Sequence, residues 1–158
     1  MEIAIILGSK SDWAVMESCA NTLKEFNIEY DAKIFSAHRT PNELTAYLND
    51  ITENKHVKVI IAAAGLAAHL AGVIASHTIV PVIGVPMEAG ALKGVDALYS
   101  MVQMPPGIPV GTVGIGKPGA INSALFAVSI LSVSNNTLKE KIIEYRKKQA
   151  EKVLSQQI

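Results

Sequence analysis

The sequence predicts an α/β protein: a three-layer α/β/α sandwich around a central five-stranded parallel sheet. Three observations carry this. Short apolar runs alternate along the chain with stretches of helical periodicity, and strands alternating with helices build a parallel sheet with right-handed crossovers. Hydrophobic residues make up 49% of the chain and aromatics only 5%, so the core is aliphatic, as a sheet buried on both faces requires. The length, 158 residues, is that of one domain covering 1–158. Five strands in a domain of this size give a flavodoxin-like arrangement, here with an extra C-terminal helix.

The elements follow in order. Ile3 to Leu7 is a continuous apolar run ending at Gly8, as a buried strand does. A first helix is predicted from about Trp13 to Phe26, with Ser11 or Asp12 as its cap. Tyr30 to Phe35 reads as the second strand. Thr40 as N-cap, Pro41 at the first helical position and Glu43 three residues after the cap predict a capping box opening a helix to about Thr52. Val57 to Ala64 is the third strand, and Ala67 to Ser76 a short helix. Val80 to Val85 is the fourth strand, with Pro81 tolerable near its start. Val95 to Met104 is helical, and Pro105-Pro106-Gly107 breaks the chain. Val110 to Ile115 is the fifth strand. Ala120 to Leu131 is a helix apolar all round, which must be buried. Thr137 and Glu140 predict a capping box that opens a charged helix to about Leu154.

Composition excludes several classes of function. Lys+Arg and Asp+Glu both number 14, with no basic block before the C-terminal helix, so the footprint of a nucleic-acid partner is missing. A neutral chain is compatible with assembly into oligomers. The single cysteine, Cys19, falls on the apolar stripe Met16, Cys19, Ala20, Leu23, Phe26 and reads as a small core residue. With no disulfide framework or Cys/His metal spacing, a reducing cytoplasm is expected and no metal. Met1-Glu2 runs straight into a strand with no leader pattern, and no apolar run reaches the roughly 18 residues of a membrane span.

In open parallel sheets, ligands bind outside the carboxyl ends of the strands. That rule gathers Gly8–Asp12, Ser36–Thr40, Ala64–Leu70, Pro86–Gly90 and Gly114–Gly119 at one edge. Ser36-Ala37-His38-Arg39-Thr40-Pro41 puts an imidazole and a guanidinium ahead of a helix N-terminus that itself favours anions. A titratable group beside an anion clamp points to a reactive site. In the first loop, the Ser9 and Ser11 hydroxyls suit phosphate, whereas the Asp12 carboxylate repels it and suits sugar hydroxyls or a helix cap. His69, among small apolar residues after the third strand, has either a structural or a site role. His56 and His77 read as surface residues, and Trp13 and Tyr99 as packing residues. Gly114-Ile115-Gly116-Lys117-Pro118-Gly119 matches the dinucleotide fingerprint, but no strand or ribose-binding acid follows it. Pro118 stands where a P-loop needs Ser or Thr for magnesium. These glycines instead let backbone approach a small ligand or another chain.

Several segments together resemble the N5-carboxyaminoimidazole ribonucleotide mutase family of purine biosynthesis. They are Gly8-Ser9-Lys10-Ser11-Asp12-Trp13, Ser36 to Pro41, Ala67-Ala68-His69-Leu70, Gly84-Val85-Pro86, Tyr99 to Pro105 and Gly107 to Thr112. The resemblance implies a reaction without cofactor, in which the carboxylate on the exocyclic nitrogen of an imidazole ribonucleotide moves to ring carbon C4. It also implies a homo-octamer with active sites at subunit junctions. By the same resemblance His38 is the acid/base, Ser9, Asp12 and Arg39 hold the ribonucleotide, and Ser36, Gly65, His69 and Leu70 line the pocket. Leu66 and Ala71 stand where the pattern usually reads Gly and Pro, and Leu66 is expected to crowd the loop near the imidazole.

Proton counting makes one histidine sufficient for that reaction. The nitrogen gains a proton when carbon dioxide leaves, and C4 loses one when carbon dioxide adds, so one group donates and takes back. An imidazole, titrating near about pH 6.5 when unperturbed, suits the task. Two other readings compete. One is a carboxylase acting on aminoimidazole ribonucleotide with free carbon dioxide, which differs around Ala68-His69. The other is a flavodoxin-like binding module. A receiver domain, however, wants acids where this chain has Gly8-Ser9-Lys10 and Ala64-Gly65, and a flavin site wants aromatics that are scarce here.

Overall fold

The computed structural model describes residues 1–157. Its centre is a five-stranded, all-parallel sheet in the order β2-β1-β3-β4-β5. The strands are β1 (Ile3–Leu7), β2 (Tyr30–Ile34), β3 (Val59–Ala64), β4 (Val82–Pro86) and β5 (Gly111–Thr112). The helices are α1 (Trp13–Glu25), α2 (Pro41–Asn49), α3 (Leu70–His77), α4 (Val95–Val102), α5 (Gly116–Ser132) and α6 (Asn136–Leu154). This is the doubly wound flavodoxin-like order, with the chain reversing direction across the sheet between β1 and β3.

The period-2 alternation of a strand divides the core in two. Ile3, Ile5, Leu7, Val59, Ile61 and Ala63 point to one face, where Met16, Cys19 and Leu23 of α1 and Ala120, Ala124 and Val128 of α5 cover them. Ala4, Ile6, Ile60, Ala62 and Ala64 point to the other, under Leu44 and Leu48 of α2, Ala71 and Ile74 of α3 and Ala97 and Met101 of α4. β1, β3 and β4 are buried along their whole length, so their apolar runs are continuous rather than alternating. Each such isoleucine is worth about 1.5–3 kcal/mol of transfer free energy.

The fingerprint-like glycines have a packing role. A β-carbon on Gly119 would lie 1.6 Å from the Gly114 carbonyl oxygen, so the first turn of α5 closes on its own entry loop only because residue 119 is bare. α5 then packs between α1 and α6, burying Ala120, Ser123, Ala124 and Ala127 as its all-round apolar sequence requires, although Phe126 is left 46% exposed.

Several boundaries and caps differ from the sequence expectation. β5 has two residues rather than six: an edge strand with one neighbour, it pairs only Gly111 with Ile83 and Thr112 with Gly84 before the glycines turn it into α5. β4 begins after Pro81, which has no N–H to give, although the Pro81 carbonyl accepts from Ile60 N at 2.9 Å. α3 starts at Leu70 rather than Ala67, because Leu66 takes φ +59° and His69 N turns back to the Ala67 carbonyl. α2 ends at Asn49 and gives way to a wider π-type turn over Asp50–Asn54.

Neither capping box forms. The Thr40 hydroxyl is taken by Ser36, accepting from its N–H at 2.9 Å and donating to its carbonyl at 3.1 Å, so α2 has no side-chain cap. α6 is capped by Asn135, whose Oδ1 accepts from Leu138 N at 3.2 Å, two residues before Thr137. α1 has no side-chain cap from Ser11 or Asp12; Ser9 instead caps a 3-10 turn over Lys10–Asp12 that leads into it. Trp13 packs on the core. Tyr99, expected to pack, is 61% exposed, because α4 turns Ala97 and Met101 inward.

Candidate active site

The loops after β1, β2, β3 and β4 meet over the carboxyl edge of the sheet and line one open cleft of about 510 Å³. From the first come Gly8, Ser9, Ser11 and Asp12, and from the second Ser36, Ala37, His38 and Arg39. The third supplies Ala64, Gly65, Leu66, Ala67, His69 and Leu70, and the fourth Ala89. The site residues singled out in the sequence therefore share this cleft: His38, Ser9, Ser11, Asp12, Ser36, Arg39, Gly65, His69 and Leu70. The fifth loop, Gly114–Gly119, contributes no lining residue. Of the two positions that depart from the family pattern, Leu66 lines the cleft while Ala71 is fully buried on the core side of α3.

The turn carrying His38 is held by its own side chains. Beyond the Thr40–Ser36 pair, the Ser36 Oγ accepts from Arg39 N at 3.2 Å and from Arg39 Nε at 3.3 Å. One serine thus closes the turn and aims the guanidinium, leaving the terminal guanidinium nitrogens for an anion. In the loop after β1, Ser9 Oγ accepts from Ser11 N at 3.3 Å and from Ser11 Oγ at 2.9 Å. Burial of the Asp12 carboxyl raises its pKa from the ordinary value of 3.8, and hydrogen bonding with the Ser9 backbone and the Ser11 side chain opposes that rise. A partly desolvated carboxylate of this kind is an acceptor waiting for donors, such as sugar hydroxyls.

His69 sits at the N-cap position of α3, and its Nδ1 lies 2.9 Å from His38 Nε2. The ring centroids are 5.0 Å apart and the planes nearly perpendicular, at 89°. One hydrogen lies between the two nitrogens, carried by either ring according to tautomer. This pairing was not visible in the sequence, where the residues are 31 positions apart. The usable signal was that both imidazoles follow strand ends, on strands that flank β1 from opposite sides.

The cleft is divided in character. The loops after β1 and β2 bring hydroxyls, a carboxylate and a guanidinium; those after β3 and β4 bring, apart from His69, only Gly, Ala and Leu. Such a cleft can hold a polar, anionic ligand on one side, move a proton at an imidazole, and keep an apolar surface on the other side. His56 and His77 are exposed and lie outside it. Among the described residues no group of three or more His, Cys, Asp and Glu side chains is placed to hold a metal ion, and no helix is long and apolar enough to cross a membrane. Cys19 is buried, and burial pushes its thiol up to about 12, well away from reactive thiolate chemistry.

Residues 2–152 match the family model described as AIR carboxylase. The N5-carboxyaminoimidazole ribonucleotide mutase of Escherichia coli strain K12 is 50% identical over 152 residues, covering 96% of this chain and 89% of that protein. The protein of the same name from Haemophilus influenzae is 48% identical over 153 residues, covering 97% and 93%. Among solved structures, the crystal structure of Treponema denticola PurE superposes with a TM-score of 0.88 at 30% identity, over 96% of this chain and 93% of that one.

Proposed function

The chain belongs to the AIR carboxylase family, and from that premise we infer that it is an N5-carboxyaminoimidazole ribonucleotide mutase of purine biosynthesis. It is an isomerase that moves the carboxylate of its substrate from the exocyclic nitrogen to ring C4. Relatives that are about half identical over nearly the whole chain carry that name. The observation that supports the reading in this molecule is the cleft itself: the Arg39 guanidinium, the partly buried Asp12 carboxyl and a paired imidazole converge beside an apolar wall.

In this reading Arg39, with Ser9 and Ser11, takes the phosphate, and Asp12 takes the ribose hydroxyls. His38 carries the proton. The N–C bond of the carbamate breaks with its electron pair going to nitrogen, and His38 protonates that nitrogen as carbon dioxide is freed. C4 then adds to carbon dioxide, and His38 recovers the C4 proton, so nothing is consumed. His69 holds the His38 ring through the 2.9 Å contact. General acid–base transfer contributes roughly two to four powers of ten; keeping the freed carbon dioxide against the ring supplies an entropic gain. Neither metal nor cofactor enters this scheme.

Assembly of identical chains into a homo-octamer in the cytoplasm belongs to the same proposal. It is supported by the apolar stripe that α4 exposes, Val95, Tyr99 and Val102, and by a lone cysteine held as a buried thiol.

The deciding experiment supplies the carbamate substrate without bicarbonate or ATP and follows formation of the C4-carboxylate. Rapid equilibration supports the mutase. Turnover of unmodified aminoimidazole ribonucleotide only when bicarbonate is added would assign the chain to carboxylation with free carbon dioxide.

A further inference from the structure

Leu66 breaks the conformational rule that its neighbours in the cleft obey. Its φ of +59° is in the left-handed region, which a bulky side chain enters only where the surroundings hold it. Those surroundings are the loop after β4. The Leu66 side chain lies across the backbone of Gly90, with Cδ2 2.6 Å from where a β-carbon on Gly90 would stand. One residue earlier, a β-carbon on Gly65 would lie 2.9 Å from Ala89 Cβ. The two loops thus interlock, side chain over bare backbone in both directions, above a Met87 N–H to Ala64 carbonyl bond of 2.9 Å.

This support does not bury Leu66. It stays 54% exposed, whereas Leu70, the other leucine of the cleft wall, is 3% exposed, and the remaining apolar wall residues are alanines and glycines. Leu66 is therefore the large apolar surface in the cleft that the His38–His69 pair also lines. Core packing does not account for a strained leucine whose side chain faces an open cleft.

We propose that Leu66, which stands where the family pattern reads Gly, is an added retaining wall for carbon dioxide while it is free between its two bonds, and that in this chain it lowers the escape of the transferred group below what the same cleft with Gly there would allow. The proposal rests on the mutase reading. In that reaction the N–C bond breaks before the C4–C bond forms, and for that interval the migrating group is a small molecule without charge. An apolar wall offers it contact and offers entering water no hydrogen bond. Latching Leu66 on Gly90 keeps that wall in place before the gas is released.

The test uses substrate labelled with carbon-13 in the carbamate carboxylate, a pool of unlabelled bicarbonate, and subtraction of the uncatalysed loss. The readout is the fraction of label retained in the C4-carboxylate per turnover, a ratio that loss of folded enzyme does not move. Leu66→Gly keeps the left-handed backbone without strain, and Leu66→Asn keeps both backbone and approximate bulk but is polar. The native chain should retain most of its label, and both variants should lose label on the order of tenfold more per turnover, the scale of one leucine's apolar contact. Retention in both variants equal to that of the native chain overturns the proposal, as does a native chain that equilibrates its label fully with the pool. A native chain that does not convert the labelled carbamate at all overturns the mutase reading instead.

Discussion

His38 Nε2 and His69 Nδ1 face each other at 2.9 Å, in rings set nearly at right angles. A contact that short between two imidazole nitrogens holds a single hydrogen: one ring donates and the other accepts. One nitrogen of His38 is therefore engaged by a second ring, and the orientation of His38 is held by a residue on the far side of β1.

Replacing His38 with Asn should leave substrate binding nearly unchanged and lower kcat by roughly two to four powers of ten, the range of general acid–base transfer. Calorimetric binding together with steady-state rates measures both. A variant that keeps more than about a tenth of the native kcat would remove His38 from the proton-transfer role.

Loss of the His69 ring should act through His38. The contact is one hydrogen bond, worth about 1 kcal/mol, so His69→Ala is expected to lower kcat about fivefold while KM stays near the native value. A rise in KM with kcat unaltered would make His69 a substrate ligand rather than a residue that positions His38.

Arg39→Ala should chiefly weaken binding. A charge-assisted hydrogen bond contributes about 1.5–3 kcal/mol, which corresponds to roughly 10- to 150-fold in KM. Ser36→Ala, which removes the acceptor of both Arg39 bonds, should shift KM in the same direction by less. Unchanged KM in Arg39→Ala contradicts the phosphate assignment.

Asp12 should trade stability for binding. Burial raises its carboxyl pKa above the ordinary 3.8, so between that value and the raised one the folded state holds more protons than the unfolded state. Stability from this group then falls as pH rises through that window, and the ionised form remains a cost at neutral pH. Asp12→Asn is expected to unfold at a higher temperature than the native chain at pH 7 while binding substrate more weakly. The difference in Tm should vanish on acidification below the window. A variant less stable than the native chain at pH 7 would mean that the carboxylate is stabilising where it stands.

The lone thiol gives a probe of opening. Cys19 is fully buried, and its sulfur accepts a 3.6 Å hydrogen bond from Ser123 Oγ. A thiol pushed up to about 12 does not react at pH 8 in the folded chain. A chromogenic disulfide reagent should therefore report no thiol in native protein and one per chain in denaturant. Rapid native reaction would place an opening between α1 and α5 well below global unfolding in free energy.

The layered architecture was legible in the sequence because its cause is local. A continuous aliphatic run such as Ile3 to Leu7, or Val59 to Ala64, is buried on both faces whatever its neighbours are, and the alternation of such runs with helices determines a parallel sheet. The cleft was legible for a related reason: His38, Arg39, Ser9 and Asp12 all follow strand ends, and strand ends of a parallel sheet share one edge. Caps were less legible. Thr40 has the residue type and spacing of a box, yet its hydroxyl bonds to Ser36, because the turn before the helix competes for the same atom.

The sequence by itself determined the strands, the helices that cover them, and the loops gathered at the carboxyl edge, since periodicity and the chemistry of adjacent residues suffice for each. Only the tertiary structure decided that His38 meets His69 across β1 and that Leu66 is latched over Gly90. Each of these is a distance of a few ångströms between backbones or side chains brought together by the twist and register of the sheet, and no run of neighbouring residues encodes such a distance.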